Sequence, residues 1–278
     1  MIRTLAPGFD QNVLTAPFGV MFCDRLDQRA IAAGLEVSLS DPQRPGSSAQ
    51  RLTANREGIF VAHAVRGLRR ADNPATLLSP AATRRFDLQV TDTLGRYVPL
   101  RLSAALPSAG LFEPACMIFS PVSAALPHVP LYSAVSRDIP AGMGVVRADL
   151  RLASDPDAGA AWARLELWLD DALIAEGVAD QRGSALLLCP LPAPRDPPLH
   201  SSPAGVPGVR SWDVRLRAFW SAQLADDPVP DLCELQQFPE VSLLQSVSPA
   251  TLLGPTVLRA GSPLIIRSAG SSFVFVSA

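Results

Sequence analysis

The chain contains no lysine, so all 24 of its basic residues are arginine. We read this as nucleotide bias in the source genome. It still excludes chemistry that needs a side-chain amine: isopeptide bonds, Schiff bases and phosphate-loop lysines. Histidine is scarce too, limited to His63, His128 and His200, and none of the three stands in His-Glu-x-x-His or His-x-His spacing. The four cysteines, Cys23, Cys116, Cys189 and Cys233, lie far apart without a Cys-x-x-Cys pair. Metal clustering is therefore not expected. Cys23 and Cys189 sit inside apolar runs, where a reduced cysteine acts as a small buried hydrophobe, and we read the cysteines as reduced. No Gly-x-Ser-x-Gly elbow, phosphate-binding glycine loop or dinucleotide fingerprint occurs. The acidic pairs Asp170-Asp171 and Asp226-Asp227, and Asp155-Pro156-Asp157, lack an oxygen-rich loop pattern and read as solvated turns. Nothing nominates a catalytic, cofactor or metal site, so the expectation is a protein that is not an enzyme.

Other scarcities bear on partners and location. A net charge of -2 gives no electrostatic grip on nucleic acid or an anionic membrane. No apolar run approaches the length of a membrane span, and residues 1–8 have no apolar leader core. Soluble cytoplasmic synthesis and assembly is the expectation. With 27 prolines and 18 glycines, long helices are excluded, because proline removes a helix donor and clashes with the preceding turn. A hydrophobic share of 48% against 18% charged still permits extensive cores.

What the chain does have is strand patterning, in an order that occurs twice. Leu165, Leu167 and Leu169 alternate with Glu166 and Asp170, and a short spacer leads to Asp180-Gln181-Arg182-Gly183 and an apolar run. Upstream, Leu35, Val37 and Leu39 alternate with Glu36, Ser38 and Ser40, and Asn55-Arg56-Glu57-Gly58 precedes the apolar run from Ile59. Each copy continues to an aromatic-acid-apolar strand, at Phe86-Asp87-Leu88 and Trp212-Asp213-Val214. From Gly58 to Phe86 is 28 residues and from Gly183 to Trp212 is 29. Gly58 and Gly183 are therefore expected at equivalent turns of two related β-sandwiches, each feeding the next strand.

The expected organisation is an N-terminal docking segment over 1–33, a first sandwich over 34–107, a Pro-rich connector over 108–141, a second sandwich over 142–220, and a strand-rich assembly segment over 221–278. In the first segment, Phe18 and Phe22 mark an edge or docking strand, and residues 24–33 allow one or two helical turns. The loops at 72–83 and 190–207 are polar or proline-rich, the former a candidate contact site. Trp212, Val214, Leu216 and Ala218 share one strand face, where core packing explains the tryptophan better than a sugar platform does. Phe273, Val274, Phe275 and Val276 form an apolar strand without charged gatekeepers. Such a strand needs a partner, within the fold or from a neighbour, and these four are assembly candidates.

The repeated order resembles prealbumin-like or carboxypeptidase-regulatory-like β-sandwiches, which implies two tandem Ig-like domains. More particular phrases are Gly58-Ile59-Phe60-Val61-Ala62-His63-Ala64-Val65, Gly95-Arg96-Tyr97-Val98-Pro99, Pro130-Leu131-Tyr132-Ser133-Ala134 and Val146-Arg147-Ala148-Asp149-Leu150. With the Asp180 turn, these resemble accessory structural proteins of bacterial phage-tail-like contractile injection systems, over roughly 34–220. That resemblance implies a non-enzymatic particle component, at the baseplate or another peripheral position, released with the particle, without cofactor, and binding neighbouring protein subunits through strands and loops. The alternative class is a free-standing sandwich module recognising carbohydrate or a protein surface.

Overall fold

Alternating apolar residues commit this chain to strands, and the turns between them are set by side chains that hydrogen-bond their own backbone. In the computed structural model, residues 16–44, 46–65, 68, 83–108, 110–117, 126–191 and 210–277 are described. The loop residues 72–82 and 192–207, His200 and residues 1–8 lie outside them. The strands are β1 (Phe18–Val20), β2 (Phe22–Asp24), β3 (Leu35–Ser40), β4 (Gln50–Arg51), β5 (Thr53–Ala54), β6 (Phe60–Ala62), β7 (Arg84–Asp92), β8 (Leu100–Leu106) and β9 (Val129–Leu131). There follow β10 (Met143–Leu152), β11 (Arg164–Leu169), β12 (Ala172–Val178), β13 (Ser184–Pro190) and β14 (Ser211–Phe219). One short helix, α1 (Leu232–Gln237), then precedes β15 (Glu240–Val247), β16 (Ala250–Leu252), β17 (Thr256–Arg259), β18 (Leu264–Ile266) and β19 (Val274–Ser277). The fold is mainly β, in several sheets.

Two cores organise it. In the first lobe, a four-stranded sheet ordered β4-β3-β7-β8 shares its core with the sheet β1-β6-β5 and the parallel pair β2-β9. Burial along β3 and β8 alternates with the sequence period, Leu35, Val37 and Leu39 inward and Leu100, Leu102, Ala104 and Leu106 inward. The second lobe is one ten-stranded sheet whose main path runs β12-β11-β14-β15-β19-β10-β13. Here β14 gives one edge to two strands, pairing Ser211–Val214 with β17 and Ala218–Phe219 with β15. β10 does the same, pairing Val146–Ala148 with β18 and Leu150–Leu152 with β19, both parallel. Both halves keep the sequence order in one respect: β3 pairs antiparallel with β7, and β11 pairs antiparallel with β14.

Three Asx-x-x-Gly turns use the same chemistry. Asn55, Asp92 and Asp180 each accept, through the side chain, the N–H groups two and four residues on. In each, the glycine at the fourth position, Gly58, Gly95 or Gly183, returns its N–H to the Asx carbonyl. Gly183 must be glycine: its φ is +85°, and a Cβ there would lie 2.3 Å from Leu150 O. The surroundings of Gly58 and Gly183 differ, however. The Asn55 turn closes the β5-β6 hairpin, whereas the Asp180 turn joins β12 to β13, the two ends of the ten-stranded sheet.

Several expectations are corrected. Residues 24–33 form turns rather than helix, because Asp24 ends a buried strand and its carboxylate caps the following backbone. Within the connector, Val129, Leu131 and Tyr132 are core residues, since β9 pairs only through positions compatible with Pro130 in a parallel two-stranded edge. The chain from 221 onward is no separate segment. Residues 222–238 return to the first lobe, burying Leu224, Leu232, Leu235 and Phe238 in its core, and β15 to β19 complete the second. Cys116 and Cys233 are joined in a disulfide, while Cys23 and Cys189 are buried thiols. The reduced reading holds for the two in apolar strands and fails for the pair that the return of α1 brings together.

Candidate functional site

The six assembly candidates divide by face. Phe18 and Phe22 are fully buried, against Phe112 at 5.5 Å and Phe60 at 5.6 Å between ring centroids. Val274 and Val276 point into the second core, and β19 is hydrogen-bonded on both sides, to β15 and to β10. The feared open edge is thus filled by the chain itself, and these four side chains are unavailable to a neighbour. Phe273 and Phe275 lie half-buried on the opposite face, edge-to-face at 5.2 Å, with the Arg151 guanidinium 6.0 Å from the Phe273 ring.

The tryptophans are held in the same way. Trp162 Nε1 donates to Asp227 O and Trp220 Nε1 to Ala161 O, and Trp168 donates to Glu166 Oε2 beneath the Arg217 guanidinium. The fourth, Trp212, is half-buried and packs against the second core. His63 is exposed, and His128 Nδ1 lies 2.9 Å from Leu126 O. Among the described residues, no three His, Cys, Asp or Glu side chains are grouped as metal ligands.

Polar chemistry is concentrated at the seam between the lobes, in two adjoining networks. In the first, Asp24 accepts from Tyr97 Oη at 3.0 Å, from the Leu26 N–H at 2.9 Å, and from both terminal nitrogens of Arg137. Burial works to raise the Asp24 carboxyl, but these donors outweigh it and hold it below the usual carboxylate range. Burial and the adjacent Asp24 charge push the Tyr97 phenol up to about 12. Cys23 is pushed up to about 11, first by burial and then by Asp27 and Asp24. A thiol so raised is protonated at neutral pH and is no nucleophile.

In the second network, Arg164 Nη1 donates to Glu166 Oε1 at 2.5 Å and to Glu176 Oε1 at 3.3 Å, while Arg25 Nε donates to Glu176 Oε2 at 2.9 Å. Arg164 also lies 3.9 Å over the Phe219 ring. Tyr132, wholly buried nearby, accepts from Gln236 of α1, and burial beside Glu176 raises its phenol far above the ordinary value. Ser133 belongs to the first network, accepting from Arg137 Nη1 at 2.9 Å, and lines the same cleft as Arg25 and Glu176 of the second.

Beside this seam the sheet opens. β12 and β13 are tight near their shared turn, where a Cβ on Gly177 would meet Leu186 O at 3.1 Å. Toward their other ends they part around a cleft of about 100 Å³ lined by Arg25, Ser133, Leu173, Ile174, Leu188 and Pro190, among others. β12 has β11 on one side, and among the described residues no strand pairs with its other side. Its first residues, Ala172 and Leu173, are exposed, with Leu173 at 39%. Asp170-Asp171 makes the two-residue hairpin turn into β12, with Asp170 at φ 52°. The pair read as a solvated turn is therefore the tip that presents this edge. β12 lies in the stretch that the alternation of β11 and the Asp180 turn leave as a spacer. Its signal was present in the strand-like run Leu173-Ile174-Ala175 after a hairpin dipeptide, but nothing local says which edge stays open.

No protein-family model matches the chain, and no curated protein matches it. Among solved structures, the Bacillus anthracis TIE protein is similar at 10% identity and a TM-score of 0.24, over 62% of this chain and 26% of that one. At that level the likeness carries no statement about fold or function. No described helix is long and apolar enough to cross a membrane.

Proposed function

We propose that this protein is a non-enzymatic structural component of a larger assembly, engaging a neighbouring protein by strand addition at the free edge of β12. The supporting observation is that edge itself. A strand that no other strand pairs on one side among the described residues, with an exposed leucine and a cleft of mixed polar and apolar lining alongside, has the requirements for pairing with an extended segment of another chain. The titratable groups at the seam are engaged with one another, and the two free thiols are raised, so the site is equipped to hold a partner rather than to transfer protons or attack a carbonyl.

The resemblance carried by the Gly58 to Val65, Gly95 to Pro99 and Val146 to Leu150 phrases supports a phage-tail-like contractile injection particle as the setting. A tagged chain purified from its native cells is expected to bring down sheath and tube proteins in fixed ratio, with particles visible by electron microscopy. Leu173→Lys, which places a charge on the edge as natural edge strands do, should reduce that recovery without lowering the melting temperature. Recovery of the wild-type chain alone would overturn the particle setting. Unchanged recovery of Leu173→Lys would overturn the role of β12.

A further inference from the structure

Resting on the strand-addition reading of β12, the geometry points to an extended partner segment that places an acidic side chain into the cleft, between Arg25 and Ser133. The cleft wall has donors left over. Arg25 is anchored at both ends: its N–H donates to Leu131 O at 3.0 Å, and its Nε donates to Glu176 Oε2. Both of its terminal nitrogens remain without a hydrogen-bond acceptor among the described residues. Glu176 is the other charged group lining the cleft, and its two oxygens are already taken by Arg25 and Arg164. A cationic ligand would therefore meet a carboxylate already paired with two guanidinium groups, whereas an anion would find a guanidinium with unused donors suited to carboxylate.

Ser133 supplies the second donor. Its oxygen accepts from Arg137, so its own O–H proton is still to be placed, and the residue is buried at 9% exposure on the cleft wall. The remaining lining includes Leu26, Leu173 and Leu188, which would enclose the aliphatic part of such a side chain. A cleft of about 100 Å³ holds one side chain rather than a folded element. In an added strand, successive side chains point to opposite faces, so one acidic residue can enter while its neighbours stay outside.

The test uses two fluorescein-labelled octapeptides of alternating valine and threonine, one with a central glutamate and one with a central lysine, against the full chain. Binding is read by anisotropy and location by amide hydrogen exchange. The glutamate peptide is expected to bind at least about tenfold more tightly and to protect the amides of β12. Arg25→Gln, checked for an unchanged melting temperature, should bring the two peptides within about twofold of each other. Ser133→Ala should weaken the glutamate peptide alone, which gives a second reading should Arg25→Gln disturb Glu176. Equal binding of both peptides with β12 protected would overturn the acidic preference and leave strand addition standing. Absence of β12 protection by either peptide would overturn both. Concentration-dependent protection of β12 without peptide would show a second copy of this chain as the occupant and overturn the partner proposed here.

Discussion

Cys116 and Cys233 lie 5.2 Å apart between Cα atoms although 117 residues separate them, and their sulfurs are bonded. Cys116 belongs to the stretch that lays Phe112 on the first core, and Cys233 is the second residue of α1. Between them the chain builds five strands of the second lobe, β10 to β14. The bond thus fastens the point at which the chain comes back to its first lobe.

Closing a loop of that length removes much of the freedom of the unfolded chain. Replacing both cysteines with serine should lower stability by about 2–5 kcal/mol, measured as a fall in the urea midpoint with a steeper slope, because the uncrosslinked unfolded chain exposes more surface. Intact mass before and after reduction and alkylation should show one disulfide and two free thiols in the purified wild-type protein.

Asp24 and Arg137 test the buried network. Asp24→Ala leaves Arg137, one-tenth exposed, without its carboxylate, and should cost about 3–5 kcal/mol. Tyr97→Phe removes one donor to Asp24 and should cost only about 0.5–1.5 kcal/mol. Combining Asp24→Ala with Arg137→Met should recover part of the loss, since no charge is then left alone. A double variant as unstable as the sum of its parts would show that the two groups act independently.

Stability should fall on the alkaline side. Cys23 and Cys189 are raised to about 11 and Tyr97 to about 12, above the values these groups have in an unfolded chain. Their contribution is present in full below the unfolded values. It is lost as pH rises through the folded ones, because the unfolded chain releases protons first. Urea midpoints should decline from about pH 9 toward pH 12, and Cys189→Ala should flatten the slope. Asp24, lowered in the folded state, has the opposite sign, and its contribution is lost as pH falls below the ordinary carboxylate range.

β19 should behave as core. Val274→Asp places a carboxylate where no partner exists among the described residues, and a loss on the order of 4 kcal/mol or more is expected. Phe275→Ser, on the half-exposed face, should cost less. Ending the chain after Ser272 should remove the strand that joins β15 to β10 and abolish cooperative melting of the second lobe. A truncated chain that melts like the wild type would return this segment to the role of a surface tail.

Much of this was legible in the sequence, for a physical reason. Period-two alternation reports which face of a strand is buried, and so β3, β7, β10, β11 and β14 could be placed from Leu35, Phe86, Val146, Leu165 and Val214. The Asx-x-x-Gly turns were legible because their hydrogen bonds are local. Alternation does not report which strand lies alongside. That is why Val274 and Val276 read equally well as a sticky edge and as the middle of a sheet. It is also why Cys116 gave no hint of Cys233, and why Arg25 and Glu176, 151 positions apart, could not be joined into a cleft wall.

The insertion of β19 between β15 and β10 has a consequence for how the protein is made. On a ribosome, Leu150–Leu152 emerges long before Val274–Val276, its eventual neighbour. At typical elongation rates the interval is on the order of ten seconds, during which one edge of β10 has no permanent occupant. The first lobe waits as well, because Leu232 and Leu235 follow the β10 to β14 strands in the chain. Neither half can be finished and set aside while the other is being translated, so a nascent chain must be kept from pairing with its polysome neighbours until β19 is out.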